Sequence, residues 1–108
     1  DAYVTPVLRA YVARLRAELG ESVPLRFMRS DGSLVTAEGF TGKDAILSGP
    51  AGGAVAVGAA ADALGGPVIG FDMGGTSTDV CRWAGAPAIV RERRIAGVRM
   101  QAPMIDID

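Results

Sequence analysis

VIGFDMGGTSTDV, residues Val68 to Val80, is the stretch on which the reading of this sequence turns. Val68, Ile69, Gly70 and Phe71 form a continuous apolar run, the pattern of a strand buried on both faces. Directly after it, Asp72 and Asp79 bracket a Gly-Gly pair and three hydroxyl residues. Gly74 and Gly75 lack a Cβ, so their N–H groups can approach a bulky anion closely. Thr76, Ser77 and Thr78 add hydroxyl donors. The two acids would repel a bare phosphate, and they make sense beside one only with a cation between, for which Mg²⁺ is the usual solution. Asp72, at the C-terminal end of its strand, stands where α/β sheets bind ligands. The competing reading is a hairpin turn in which the Asp and Thr side chains merely satisfy backbone groups. The stretch is neither a Walker A loop, since no Gly-Lys-Ser/Thr closes it, nor a G-x-G-x-x-G fingerprint.

Upstream, Ser48-Gly49-Pro50 opens a helix in which ten of the fourteen residues from Ala51 to Leu64 are Ala or Gly. Each of its three glycines costs up to about 1 kcal/mol relative to Ala. Close approach of another backbone is the expected reason, so Gly52 and Gly53 are assigned to packing. Ser48 is expected as the N-cap. Gly65-Gly66-Pro67 ends the helix. Further upstream, Thr5-Pro6 reads as an N-cap followed by a first-turn proline. Val4, Leu8, Tyr11, Leu15 and Leu19 then recur at helical spacing, and Gly20 stops them. Leu25 to Met28 reads as a short strand, Ser30-Asp31-Gly32-Ser33 as a turn, and Leu34 to Lys43 has no clear period. Downstream, Val80 to Trp83 is a return strand, Gly85 to Pro87 a turn, Ala88 to Ile95 a strand with charged outer positions, and Ala96 to Asp108 extended.

The bulk of the chain narrows the choices. Its 108 residues suffice for one small domain, and the net charge of −1 gives no electrostatic reason to expect nucleic acid or an acidic membrane as partner. One cysteine, Cys81, excludes an internal disulfide or a Cys-based zinc site, and it is read as a packed thiol. With no histidine, Ser-His, Cys-His and His-metal chemistry cannot come from this chain. The uncharged stretch from Ala45 to Ala61 is short of the roughly 20 apolar residues of a membrane span and is broken by Gly and Pro. The chain begins at Asp1 without a signal-peptide pattern, and a free cysteine fits a reducing, cytoplasmic setting. Arg91, Arg93, Arg94 and Arg99, mixed with Glu92, are read as a solvated face. Trp83 is expected in the core or at a partner surface.

Taken together, Ser30-Asp31-Gly32, Ser48-Gly49-Pro50-Ala51-Gly52-Gly53 and Phe71 to Val80, in this order and spacing, resemble the hydantoinase A/5-oxoprolinase family across essentially the whole chain. Ser33 stands where many members have a second glycine. The resemblance implies an α/β, actin-like ATPase (ribonuclease H-like) fold, of which this chain would span the junction of the two lobes. Residues 1–49 would end the first lobe, 50–66 form the linking helix, and 67–108 open the second lobe with its phosphate loop. It implies ATP and Mg²⁺ as cofactors, a small cyclic amide (a hydantoin or 5-oxoproline) as substrate, and a cytoplasmic enzyme. The partners implied are the rest of the same polypeptide and a hydantoinase B-type subunit, with no nucleic acid and no membrane. In that reading Asp72 is the catalytic and metal-organising residue. Gly74, Gly75, Thr76, Ser77, Thr78 and Asp79 bind the nucleotide's phosphates, with Asp79 as readily a turn cap. The isolated chain is expected to be inactive. Three alternatives stay open: another actin-like ATPase such as a sugar kinase or chaperone-type ATPase, an acetone carboxylase-type subunit that carboxylates a ketone, and a non-enzymatic packing module.

Overall fold

The helix predicted from Thr5-Pro6 forms, but it starts earlier and turns a different face inward. In a computed structural model describing residues 1–108, helix α1 spans Val4–Leu19 with Tyr3 at the N-cap and no side-chain cap. Thr5 therefore lies inside the first turn. Its N–H and hydroxyl donate to the carbonyl and carboxylate of Asp1, and its Oγ1 accepts from the Gly42 N–H at 2.9 Å. Pro6 is tolerated as the third helical residue because first-turn N–H groups have no helical acceptor anyway. Val12 is the buried residue, flanked by half-buried Leu8 and Leu15, while Val4, Tyr11 and Leu19 of the expected stripe are exposed. The packing face is thus rotated away from the stripe that the spacing suggested. Gly20, at φ 83°, ends the helix by donating to Arg16.

Two short strands, β1 (Arg26–Met28) and β2 (Leu34–Thr36), pair antiparallel around the expected turn. Asp31 Oδ1 accepts from the N–H and the hydroxyl of Ser33, so the serine at this position closes the turn itself. Gly32 sits at φ +81°, and a Cβ there would meet Ile105 and Val55. A 3₁₀ turn at Ala37–Gly39 and a short helix α2 (Gly42–Ala45) resolve the ambiguous segment. Phe40 is buried and stacks on Phe27 with ring centroids 4.9 Å apart.

Helix α3 spans Ser48–Leu64 and ends on Gly65 in the left-handed conformation, as the sequence led one to expect. Its N-cap is Leu47 and not Ser48. The Ser48 hydroxyl instead donates back to the Ala45 carbonyl, because the chain runs from α2 into α3 with Ile46 already helical. Ala51, Ala54, Gly58 and Ala61 recur at three- and four-residue spacing and form the buried stripe. Against it lies the hairpin of β3 (Val68–Met73) and β4 (Thr78–Trp83). The glycine at position 58 is explained by this contact, since a Cβ there would overlap the six-membered ring of Trp83. Gly70 is closed off in the same way by Val57 and by Cys81, whose thiol is buried in the core cluster.

These contacts set two opposite expectations for one helix. Gly58→Ala is expected to destabilise by up to about 2 kcal/mol, because overpacking costs about 1–3 kcal/mol and the better helix propensity returns only about 1. Gly52→Ala, whose Cβ meets nothing within 4 Å, is expected to stabilise by about 0.5–1 kcal/mol. Denaturant midpoints of the two variants measured side by side check both signs.

The outer face of β3 corrects the reading of that strand as buried on both sides. Gly70 is buried against α3, yet Ile69, Phe71 and Met73 on the opposite face are 74%, 64% and 69% exposed. A two-stranded hairpin covered by one helix has only one face to bury. The accessible surface is 6999 Å², against about 5,700 Å² for a monomer of this mass.

The last hairpin joins β5 (Ile89–Ile95) and β6 (Val98–Ile105) through Ala96-Gly97, a turn the extended reading of this segment missed. Both turn residues have positive φ, 47° and 81°. Ala is a poor choice for that geometry, which normally draws Asn or Gly. Arg99 pairs with Glu92, and Arg93 with Asp106 and Asp108, as expected of a solvated face. The chain's end then returns to the centre. The Ile105 N–H donates to the Ser30 carbonyl, and Val80 and Asp108 exchange both backbone hydrogen bonds along the free edge of β4. All three sheets are antiparallel pairs. No helix is long and apolar enough to cross a membrane.

Candidate functional site

The β3–β4 hairpin carries every residue assigned to ligand binding. Its ladder pairs Phe71 with Val80, Asp72 with Asp79 and Met73 with Thr78, leaving Gly74-Gly75-Thr76-Ser77 as the turn. The Gly74 N–H closes that turn on the Ser77 carbonyl at 3.0 Å. Neither glycine adopts positive φ. Their use here is therefore space and not backbone freedom. A Cβ at Gly75 would meet nothing within 4 Å, and one at Gly74 only the Ser77 carbonyl at 3.7 Å.

The alternative of a turn whose polar side chains tie down its own backbone finds no support in the hydrogen bonding. The side chains of Asp72, Thr76, Ser77, Thr78 and Asp79 make no hydrogen bond within the chain. The N–H groups of Gly75, Thr76 and Ser77 likewise donate to no backbone carbonyl. Asp79 does not cap the turn. The hairpin tip therefore presents three amide donors and three hydroxyls toward open space.

The two carboxylates face one another by register, and alternation puts both on the side of the hairpin that faces α3, with Gly70 and Cys81. No Lys or Arg pairs with either. Like charges directly opposite on a ladder repel. A cation between them would remove that repulsion. No group of three or more His, Cys, Asp or Glu side chains lies close enough to cage a metal. The donor set accordingly fits an ion that keeps most of its ligands as water and phosphate oxygen, as Mg²⁺ does, and not a protein-enclosed one. None of the concavities of the chain includes residues 72–79; the largest, about 510 Å³, is lined by Val80 to Arg82 of β4 and by Asp106 and Asp108.

The same arrangement contains a contact that no local pattern in the sequence announces. Asp72 Oδ2 lies 2.9 Å from the point where a Cβ of residue 53 would stand. The glycine pair of Ser48 to Gly53 is therefore not uniform: Gly53 admits a carboxylate, and Gly52 faces open space.

The model of the hydantoinase/oxoprolinase family matches residues 1–108, the entire chain. This chain belongs to that family. It is 46% identical over 114 residues to 5-oxoprolinase 1 of Arabidopsis thaliana, with 100% of the chain and 9% of the relative covered. It is 45% identical over 112 residues to 5-oxoprolinase of Saccharomyces cerevisiae, with 99% and 9% covered. A nucleotide-free acetone carboxylase structure shares the fold, with a TM-score of 0.77 and 24% identity over 93% of this chain and 14% of that one. The hydantoinase/oxoprolinase segment described here thus spans about a tenth of the length of the curated relatives it matches.

Proposed function

We propose that this hydantoinase/oxoprolinase segment forms the phosphate-binding edge of an ATP-dependent enzyme that opens a small cyclic amide. Its curated relatives carry the name 5-oxoprolinase, and the acetone carboxylase that shares its fold acts in ATP-dependent acetone carboxylation. The observation that carries the proposal is the hairpin tip. Free amide and hydroxyl donors at Gly75 to Ser77 cap a ladder that carries two facing carboxylates, which no cationic side chain neutralises.

In the proposed reaction the amide carbonyl oxygen attacks the γ-phosphorus of ATP and ADP leaves. One water then adds to the activated carbon and the ring C–N bond breaks with a proton to the nitrogen, leaving an acyl phosphate, which a second water hydrolyses to carboxylate and phosphate. Phosphoryl transfer requires positioning and neutralisation of charge more than covalent help from the protein. Gly75, Thr76 and Ser77 would donate their N–H groups, and Thr76 and Ser77 their hydroxyls, to the terminal phosphate oxygens, whereas Thr78, paired with Met73, stands on the face opposite the two acids. Asp72 and Asp79 would hold Mg²⁺ through one or two carboxylate oxygens and its water, which supplies charge neutralisation when bound. Within an actin-like architecture, residues 1–49 would close one lobe, 50–66 link the lobes, and 67–108 open the other. The exposed Ile69, Phe71 and Met73 face would then pack against further parts of the same polypeptide. A cytoplasmic setting and a hydantoinase B-type partner subunit belong to the same proposal.

The full-length enzyme is expected to release ADP in step with ring-opened product when supplied with 5-oxoproline or a hydantoin, ATP and Mg²⁺. Ring opening without ATP, or a phosphorylated sugar as product, overturns the reading. A single substitution tests the loop itself. Gly75→Val places its methyls in the space assigned to phosphate, in a position where its Cβ touches nothing. The KM for ATP is expected to rise roughly tenfold or more, with the melting temperature unchanged. Steady-state kinetics and a thermal melt on the same preparation decide it.

A further inference from the structure

We infer that Gly53 is a positioning residue for Asp72: it keeps one side of the carboxylate free of a side chain, so that Asp72 rests against the bare backbone of α3. The inference rests on the role proposed for Asp72 and names a second residue on which that role depends. Asp72 accepts no hydrogen bond and forms no ion pair, so only packing fixes its direction. The wall it packs against is residue 53, where a Cβ would stand 2.9 Å from Oδ2. That is inside the ordinary contact distance of carbon and oxygen, so the two cannot both keep their places. Gly53 is the sixth residue of α3, beyond the first turn where the helix N-terminus attracts anions, which leaves steric contact as the operative effect.

The consequence for an added methyl is specific. The crowded atom is the far end of a flexible side chain, and not backbone, so Asp72 would swing to another rotamer at little cost to the fold. Alanine is also the better helix former. Gly53→Ala therefore separates two properties that substitutions in a packed interface usually change together. Stability holds or rises, while the carboxylate leaves its place. Sites of this kind require placement within about 0.5 Å, and a displacement of about 1 Å can cost a hundredfold in rate.

The test uses the full-length enzyme and two readouts. In Gly53→Ala, kcat is expected to fall roughly tenfold or more with the KM for the cyclic amide unchanged. The Mg²⁺ concentration needed for half-maximal ADP binding, followed by calorimetry with Mg²⁺ as the titrant, is expected to rise by at least about threefold. The melting temperature is expected to equal or exceed that of the wild type. Gly52→Ala, on the same helix but facing open space, is expected to change neither kcat nor the Mg²⁺ requirement. In an Asp72→Ala background, Gly53→Ala is expected to add nothing. A Gly53→Ala enzyme with kcat and Mg²⁺ requirement within about twofold of wild type overturns the inference, as does one that melts lower or fails to fold. So does a full additional loss in the Asp72→Ala background. A wild-type enzyme indifferent to ATP and Mg²⁺ overturns the functional proposal itself. A dependent wild type with an inactive Asp72→Ala and an unaffected Gly53→Ala overturns only the inference drawn here.

Discussion

Asp72→Ala in the full-length enzyme is expected to lower ATP-dependent turnover roughly 10²- to 10³-fold without lowering the melting temperature, the scale seen when one charge-stabilising group is removed from a preorganised site. The combination follows from what the side chain touches. A structural aspartate would show hydrogen bonds or an ion pair, and its loss would leave donors unsatisfied. Asp72 has neither, and it stands opposite Asp79 across the ladder. Removing it takes away a repulsion, so the fold holds or gains slightly. Asp79→Ala is expected to follow the same pattern with a smaller loss, roughly 10- to 100-fold. Initial rates of ADP release at saturating substrate, with a thermal melt of each variant, provide the comparison. Wild-type turnover in Asp72→Ala would remove the hairpin from the mechanism. A collapsed melting temperature would show the acid to be structural.

The parts of this fold that were legible in the sequence are those set by residues acting on their own backbone. Gly20, Gly32, Gly65 and Gly85 all sit at positive φ where turns and helix ends were expected. The Asp31 turn and the hairpin around Gly74-Gly75 formed where the sequence placed them. What escaped were choices between partners distant in sequence. An apolar run such as Val68 to Phe71 states that a strand needs cover, but not how many faces receive it from the same 108 residues. Ser48 has the chemistry of an N-cap, yet α2 ends so close to α3 that its hydroxyl reaches Ala45 first. Ala96 carries no turn signal and takes positive φ because Gly97 and the β5–β6 register require it. The site divides in the same way. The donors of the loop could be read from Gly74 to Asp79, because they are contiguous. The opposition of Asp72 to Asp79 needed the register, and the contact of Asp72 with Gly53 needed the packing of a hairpin on a helix.

The same distinction between local and distant partners places the largest stability effect far from the hairpin, at Asp44. This carboxylate is buried, with a side chain only 5% exposed. It accepts from Thr41 Oγ1 at 2.6 Å, Arg29 Nη2 at 3.0 Å and Lys43 Nζ at 3.1 Å. Its own carbonyl accepts from the N–H and the hydroxyl of Ser30, and that hydroxyl in turn accepts from the N–H of Leu47, the residue that starts α3. The Ser30 carbonyl receives the N–H of Ile105. The Asp44 backbone and Ser30 thus tie the Ser30-Asp31-Gly32 turn to the start of the helix on which Gly53 rests and to the end of β6, while the Asp44 carboxylate fixes that junction to Arg29, Thr41 and Lys43. Removing one partner of a fully buried ion pair costs about 3–5 kcal/mol. Arg29 and Lys43 remain partly open to water, at 29% and 42%, which lowers the expected loss for Asp44→Ala to about 2–4 kcal/mol. Asp44→Asn is expected to lose less, since its amide oxygen can still accept from Arg29 and Lys43 while the N–H₂ meets the Thr41 hydroxyl, so that mainly the charge is lost. Acid should imitate the substitution. Burial alone would push the Asp44 carboxyl up, but the hydrogen bonds from Thr41, Lys43 and Arg29, with the Arg29 charge, outweigh it and hold the group below its ordinary 3.8. A carboxyl depressed in the folded state contributes stability above its unfolded value and loses that contribution as pH falls through the folded one. Wild-type stability is therefore expected to drop below about pH 4, and the difference between wild type and Asp44→Ala to narrow over the same range. Denaturant midpoints of both proteins from pH 7 to pH 3 measure it. A gap that stays constant with pH would mean that the Asp44 contacts act through packing and not through charge.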